Sequence, residues 1–148
     1  MNPLRRVTLQ TVAALTAGLA LPLRALAAWN KEAFQAKTAA DALKNLGIAS
    51  SAESKDVLID APQIAENGAV VPIEITSNVP NTKSIAIVID KNPFPLAAKF
   101  DFSEGAAPYV KVNVKLGESS LVRVLAEAGG KFYSASREIK VTIGGCGG

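Results

Sequence analysis

The chain has 148 residues, 49% of them hydrophobic, with 16 Lys and Arg against 13 Asp and Glu, a single cysteine and no histidine. Without histidine there is no Ser-His-Asp or Cys-His catalytic arrangement and no His/Cys cluster for zinc or c-type haem. A phosphate-cradling Gly-x-x-x-x-Gly-Lys-Ser/Thr loop is also missing, so no cofactor is expected and Cys146 is the one reactive side chain.

Residues 1–27 read as an export signal. Arg5-Arg6 opens an apolar stretch from Val7 to Leu23 that has no acidic residue, and Ala25-Leu26-Ala27 supplies a small-x-small triplet that predicts cleavage after Ala27. The arginine pair, with Arg24 near the cleavage point, favours a twin-arginine leader over the general secretory route and a periplasmic destination. A membrane anchor would need about 20 predominantly apolar residues, and Thr8, Gln10, Thr11, Thr16, Gly18 and Pro22 interrupt this run. Removing 27 of 148 residues leaves a mature chain of 121, enough for one domain with a core. The leader takes three arginines with it, leaving 13 basic against 13 acidic residues. The precursor's basic isoelectric point of about 9.1 therefore belongs to its address label and argues for no nucleic-acid partner.

Residues 28–47 are expected to form an N-terminal helix, with Asn30 as its cap, its end near Leu46 and Gly47 as its stop. Ala33, Ala36, Ala40 and Leu43 fall on one face near Trp29 and Ala39. Phe34 lies off that stripe, so it either touches another surface or bends into the same core.

From Val57 the pattern changes to alternation. Val57–Ile59, Val70–Thr76, Ser84–Asp90, Ala97–Phe102, Tyr109–Leu116, Leu121–Ala126 and Lys131–Ile143 are strand-like, the last long enough to contain a bend. Glu66-Asn67-Gly68, Asn78-Val79-Pro80-Asn81, Asn92-Pro93-Phe94-Pro95, Glu104-Gly105 and Gly129-Gly130 separate them as turns. Short strands at this spacing predict an all-β domain over 48–143, an immunoglobulin-like antiparallel β-sandwich without an internal disulfide.

Along Tyr109–Leu116, Val110, Val112, Val114 and Leu116 alternate with Lys111, Asn113 and Lys115, giving one wet face. Ile85–Ile89 is apolar on both faces, so its outer face must be covered by the N-terminal helix or by a partner subunit. Pro72 cannot donate to a ladder and marks an edge or a bulge.

The last segment, 144–148, is Gly144-Gly145-Cys146-Gly147-Gly148. Four glycines cannot shield a thiol and lose the most freedom on ordering, so Cys146 is expected on an exposed, flexible arm reaching roughly 10 Å from Ile143. A bare main chain on both sides of the sulfur suits entry into a narrow channel of another protein. Activation is weak, since Lys140 is the nearest cation and the terminal carboxylate disfavours the thiolate. In an oxidising compartment, an unpaired cysteine either pairs with another chain or is held for chemistry.

This tail closing a small exported β-domain, after Ser134-Ala135-Ser136-Arg137-Glu138-Ile139-Lys140-Val141-Thr142-Ile143, resembles the SoxY family of sulfur carriers. Lys91-Asn92-Pro93-Phe94-Pro95-Leu96-Ala97 resembles that family's Asn-Pro-x-Pro segment. The resemblance implies a non-catalytic carrier subunit of the thiosulfate-oxidising system, with sulfur attached covalently at Cys146. It implies a SoxZ-like subunit in a heterodimer or larger complex. A c-type cytochrome, a sulfate-releasing hydrolase and a sulfur dehydrogenase would be its further partners.

Two other classes compete. An exported structural or interaction domain would use Cys146 for an intermolecular disulfide. A carrier that activates a Gly147-Gly148 thiocarboxylate would need cytoplasmic ATP-dependent chemistry, which the leader contradicts. A single-cysteine peroxidase would want a buried, cation-flanked thiolate, the opposite of this tail.

Overall fold

The computed structural model describes residues 29–142, so the expected leader and the glycine-rich tail lie outside the described residues. Among the described residues two short helices precede nine strands: α1 is Lys31–Gln35 and α2 is Ala39–Asn45. The strands are β1 Ala52–Glu53, β2 Val57–Asp60, β3 Ile64–Ala65, β4 Val71–Ser77, β5 Thr82–Ile89, β6 Leu96–Asp101, β7 Tyr109–Val114, β8 Ser120–Ala128 and β9 Lys131–Val141. They form the expected β-sandwich.

One sheet runs β1-β9-β8-β5-β6, with β3 also paired to β9, and the other runs β2-β4-β7. All pairings are antiparallel except those of β1 and β3, which lie parallel to β9. Alternation puts one side of each strand between the sheets. Ile73, Ile75, Ile85, Ile87, Ile89, Val122, Val124 and Ile139 are fully buried there. Each such side chain contributes about 1.5–3 kcal/mol relative to exposure. Leu116, just past β7, is buried in the same layer, while Lys111, Asn113 and Lys115 are exposed as their alternation requires.

The other face of β5 and its neighbours packs against the helices. Ala86, Val88, Leu96 and Leu125 form a second cluster with Ala33, Ala36, Ala42 and Ile48. The cover over Ile85–Ile89 is therefore the chain's own N-terminal segment.

The single expected helix is instead two. Asn30 caps α1 as expected, its Oδ1 accepting from the Ala33 N–H at 3.0 Å. At Ala36 the backbone leaves the helical region (φ −58°, ψ 141°), and extended Thr38 (φ −127°, ψ 151°) caps α2 by accepting from the Asp41 N–H at 3.1 Å. Thr38 thus outcompetes helix continuation with a local side-chain bond. The break resets the helical phase: Ala42, not Ala40, is the buried alanine, with Ala39, Leu43 and Leu46 beside it. Phe34 bends into this same cluster, and Trp29 stacks on it at 5.7 Å while staying 62% exposed. Gly47 ends the helical segment at φ +76°.

Pro72 sits in β4, the middle strand of the smaller sheet, opposite Asn113 of β7. On its other flank β2 stops pairing at Asp60↔Glu74, so β4 is a local edge where the proline falls. β1 and β3 are absent from the sequence reading because two residues carry no period.

Candidate functional site

The sequence-derived site residues Cys146, Gly144, Gly145, Gly147 and Gly148 all lie outside the described residues. What the structure supplies is the foundation from which that segment leaves. β9 alternates inward-facing Tyr133, Ala135, Ile139 and Val141 with outward Ser134, Ser136, Glu138 and Lys140, and it pairs with β8 from Lys131 to Ile139. Its far end is held on several sides. β3 pairs Ile64↔Lys140 and Ala65↔Val141, the Lys140 N–H donates to the Gln63 carbonyl at 3.0 Å, and the Thr142 N–H donates to the Ala65 carbonyl at 3.1 Å. From the opposite side the Ser119 hydroxyl accepts from the Val141 N–H at 2.8 Å.

Gly68 completes this grip. Its carbonyl accepts from the Leu116 N–H at 2.7 Å, and a Cβ added to it would lie 2.4 Å from the Leu116 carbonyl oxygen and 2.9 Å from a Val141 methyl. No side chain fits in that space.

The loop carrying Ser119 is itself fixed by Asn92. The Asn92 Nδ2 donates to the Lys115 carbonyl at 2.7 Å, its Oδ1 accepts from the Gly117 N–H at 3.1 Å, and the Lys91 N–H donates to Ser120 Oγ at 3.1 Å. The Asn-Pro-x-Pro segment noted in the sequence is thus a brace behind the exit of β9. Phe94 ties the same loop to the helices, with Lys37 Nζ 3.7 Å above its ring, a contact worth about 0.5–1 kcal/mol at an exposed site. Both X-Pro bonds of the segment are trans. Sequence reading missed Ser119, Gly68 and Asn92 as positioning residues. Of these, Asn92 carried a signal in its place in the Asn-Pro-x-Pro motif and Gly68 in the Glu66-Asn67-Gly68 turn, while Ser119 carried none.

From Thr142, four residues lead to Cys146, so the chain between them spans at most about 13–14 Å. The base is rigid by hydrogen bonding and packing, and the thiol follows within one short segment. What is fixed is the point at which the chain leaves the domain, beside β3 and the Ser119 loop.

A second polar constellation lies on the outer face of the smaller sheet, where Asp60, Glu74 and Lys111 form a cross-strand row. The Tyr109 hydroxyl donates to Glu74 Oε2 at 2.7 Å and the Lys111 ammonium donates to Oε1. The Lys111 bond, then the Tyr109 bond, hold the Glu74 carboxyl below its ordinary range, and Glu74 in turn raises both donors. Opposite charges and a hydroxyl satisfy one another here, which makes this a structural ladder. Among the described residues no group of three or more His, Cys, Asp or Glu side chains could hold a metal ion.

Fold and site together define a small β-sandwich built to hold the root of a cysteine-bearing terminal segment. The model of the family "Sulfur oxidation protein SoxY" matches residues 43–146. A solved sulfur carrier protein SoxY from Chlorobium limicola f thiosulfatophilum is 36% identical, with a TM-score of 0.62 over 70% of this chain and 96% of that one. The chain belongs to the SoxY family of sulfur oxidation proteins. No curated protein matches it. A superoxide reductase (neelaredoxin) from Ignicoccus hospitalis, 19% identical with a TM-score of 0.51 over 57% of this chain and 79% of that one, shares the fold alone.

Proposed function

We propose that this protein is a periplasmic, non-catalytic carrier that holds thiosulfate-derived sulfur on the Cys146 thiol and presents it to partner enzymes. The observation that carries the reading is the family match, which runs through the domain and ends on residue 146, the only cysteine of the chain. The chemistry follows from what the chain lacks. Joining thiosulfate to a thiol forms an S–S bond and releases a proton and two electrons, so an electron acceptor is required, and a c-type cytochrome partner takes that role. Water then cleaves the terminal S–S bond of the S-thiosulfonate, with a hydrolase releasing sulfate and leaving a persulfide. A sulfur dehydrogenase partner would oxidise the remaining sulfane sulfur before a final hydrolysis returns the thiol.

A SoxZ-like subunit completes the carrier, and the twin-arginine leader would export it after folding. The root at Thr142 supports this division of labour: partners meet one sulfur at the end of a short segment whose origin is hydrogen-bonded to β3. Because the tail gives the thiol little activation, it resists adventitious oxidation between encounters.

The test is the intact mass of the mature protein from thiosulfate-grown cells, with and without reductant, and fragmentation to locate added mass. Reductant-labile sulfur or thiosulfonate on Cys146, absent in Cys146→Ser, is the expected result. A bare thiol, or only a symmetric disulfide dimer, would overturn the carrier reading in favour of a structural one.

A further inference from the structure

The outer edge of β9 is covered at both ends but not in the middle. β1 pairs with Tyr133 and Ser134, β3 pairs with Lys140 and Val141, and between them the chain departs to build β2 in the other sheet. Backbone direction along β9 can be read from its bonds. The Ser134 carbonyl accepts from the Ser54 N–H, and the Lys140 and Thr142 N–H groups donate to Gln63 and Ala65, all away from β8. Even-numbered residues of β9 therefore point their N–H and C=O groups outward. Ser136 and Glu138, both exposed, are the two that find no strand there among the described residues.

These four backbone groups open into a groove of about 720 Å³ between β9 and β2. Its apolar wall includes Leu58, 49% exposed, and Ile64, 57% exposed. Lys55, Arg137 and Lys140 line it against one acid, Glu138. Arg137 projects from β9 across the opening and donates to the Ile59 carbonyl at 3.2 Å, which holds its charge at the floor. An unpaired strand edge templates an incoming extended chain, the exposed leucine and isoleucine suit an apolar side chain on it, and the excess of three cations over one anion selects for acid.

We propose that this groove docks an extended acidic peptide segment of a partner protein, which adds to β9 between β1 and β3 and bonds the backbone of Ser136 and Glu138. This surface is independent of the Cys146 chemistry, so it stands or falls apart from the carrier reading.

The test uses the isotopically labelled mature chain and three synthetic peptides: acetyl-Glu-Val-Asp-Val-Glu-amide, the same peptide N-methylated at alternate backbone nitrogens, and a version with Lys for each acid. The acidic peptide is expected to shift the Ser136 and Glu138 amide resonances at about millimolar concentration and to slow their hydrogen exchange. N-methylation, which leaves the protein untouched, should weaken binding about tenfold by removing backbone bonds. Arg137→Gln and Lys140→Gln should weaken it too, the lysine peptide should fail, and Cys146→Ser should bind like the wild type. Three results would overturn the proposal: amides of Ser136 and Glu138 already protected in the free chain, meaning that the chain itself fills the groove; equal binding of the N-methylated or lysine peptide; or no shift with the acidic peptide.

Discussion

Individual side chains set two kinds of behaviour in this domain. Glu74 is a partner shared by Lys111 and Tyr109, and its lowered pKa has a definite pH consequence. A folded-state pKa below the ordinary 4.5 means that the native chain binds the proton less readily than the unfolded chain. The stabilisation is therefore present above 4.5 and lost as pH falls through the lower folded value. On the alkaline side Lys111 and Tyr109 are raised, so their share is present below their ordinary values of 10.5 and 10.0 and lost as pH rises through the folded ones. We expect the stability difference between wild type and Glu74→Gln, measured by urea unfolding, to be small at neutral pH, weakened by salt, and to shrink further in acid. A difference that stayed constant through the acid range would show that the ladder contributes packing and not charge. Gly68 acts by having no side chain, a role visible only when Leu116 and Val141 are seen against it.

At the level of elements, β9 owes its fixed end to three neighbours distant in sequence: β3, the Gly68 turn and the Ser119 loop. Gly68→Ala should force the β7–β8 loop and the end of β9 apart, lowering stability by about 1–3 kcal/mol. Amide exchange should accelerate first at Val141 and Thr142. Unchanged exchange there, with global stability lost, would mean that the glycine serves the core and not the exit.

Most of the long strands were legible because burial between two sheets imposes a period of two, as Val110, Val112 and Val114 show. The helical segment was legible in its ends, Asn30 and Gly47, but not in its middle, since the Thr38 bond to Asp41 that splits it depends on local geometry. The grip on β9 was illegible because Ser119, Gly68 and Asn92 meet only after folding.

For the molecule as a whole, the helices settle which surface a partner cannot use. Val88 and Ala86 are buried under Ala33, Ala36 and Ala42, so the doubly apolar β5 is closed by the chain itself. The tail, in contrast, follows the last core strand in sequence, beyond the two clusters that the described residues form. Cys146→Ser should accordingly leave the thermal midpoint within experimental scatter of the wild type. A drop of several degrees would place the thiol in contacts that stabilise the domain.

β9 is also the last of the described strands to leave the ribosome, while β1 and β3, which flank it, are the first and third. Their contacts span some eighty residues of chain, the kind of long-range closure that comes late in folding. A nascent or truncated chain that stops short of β9 therefore has neither the root nor the cysteine, and the two arrive together. A product cut off before β9 therefore carries no thiol to react.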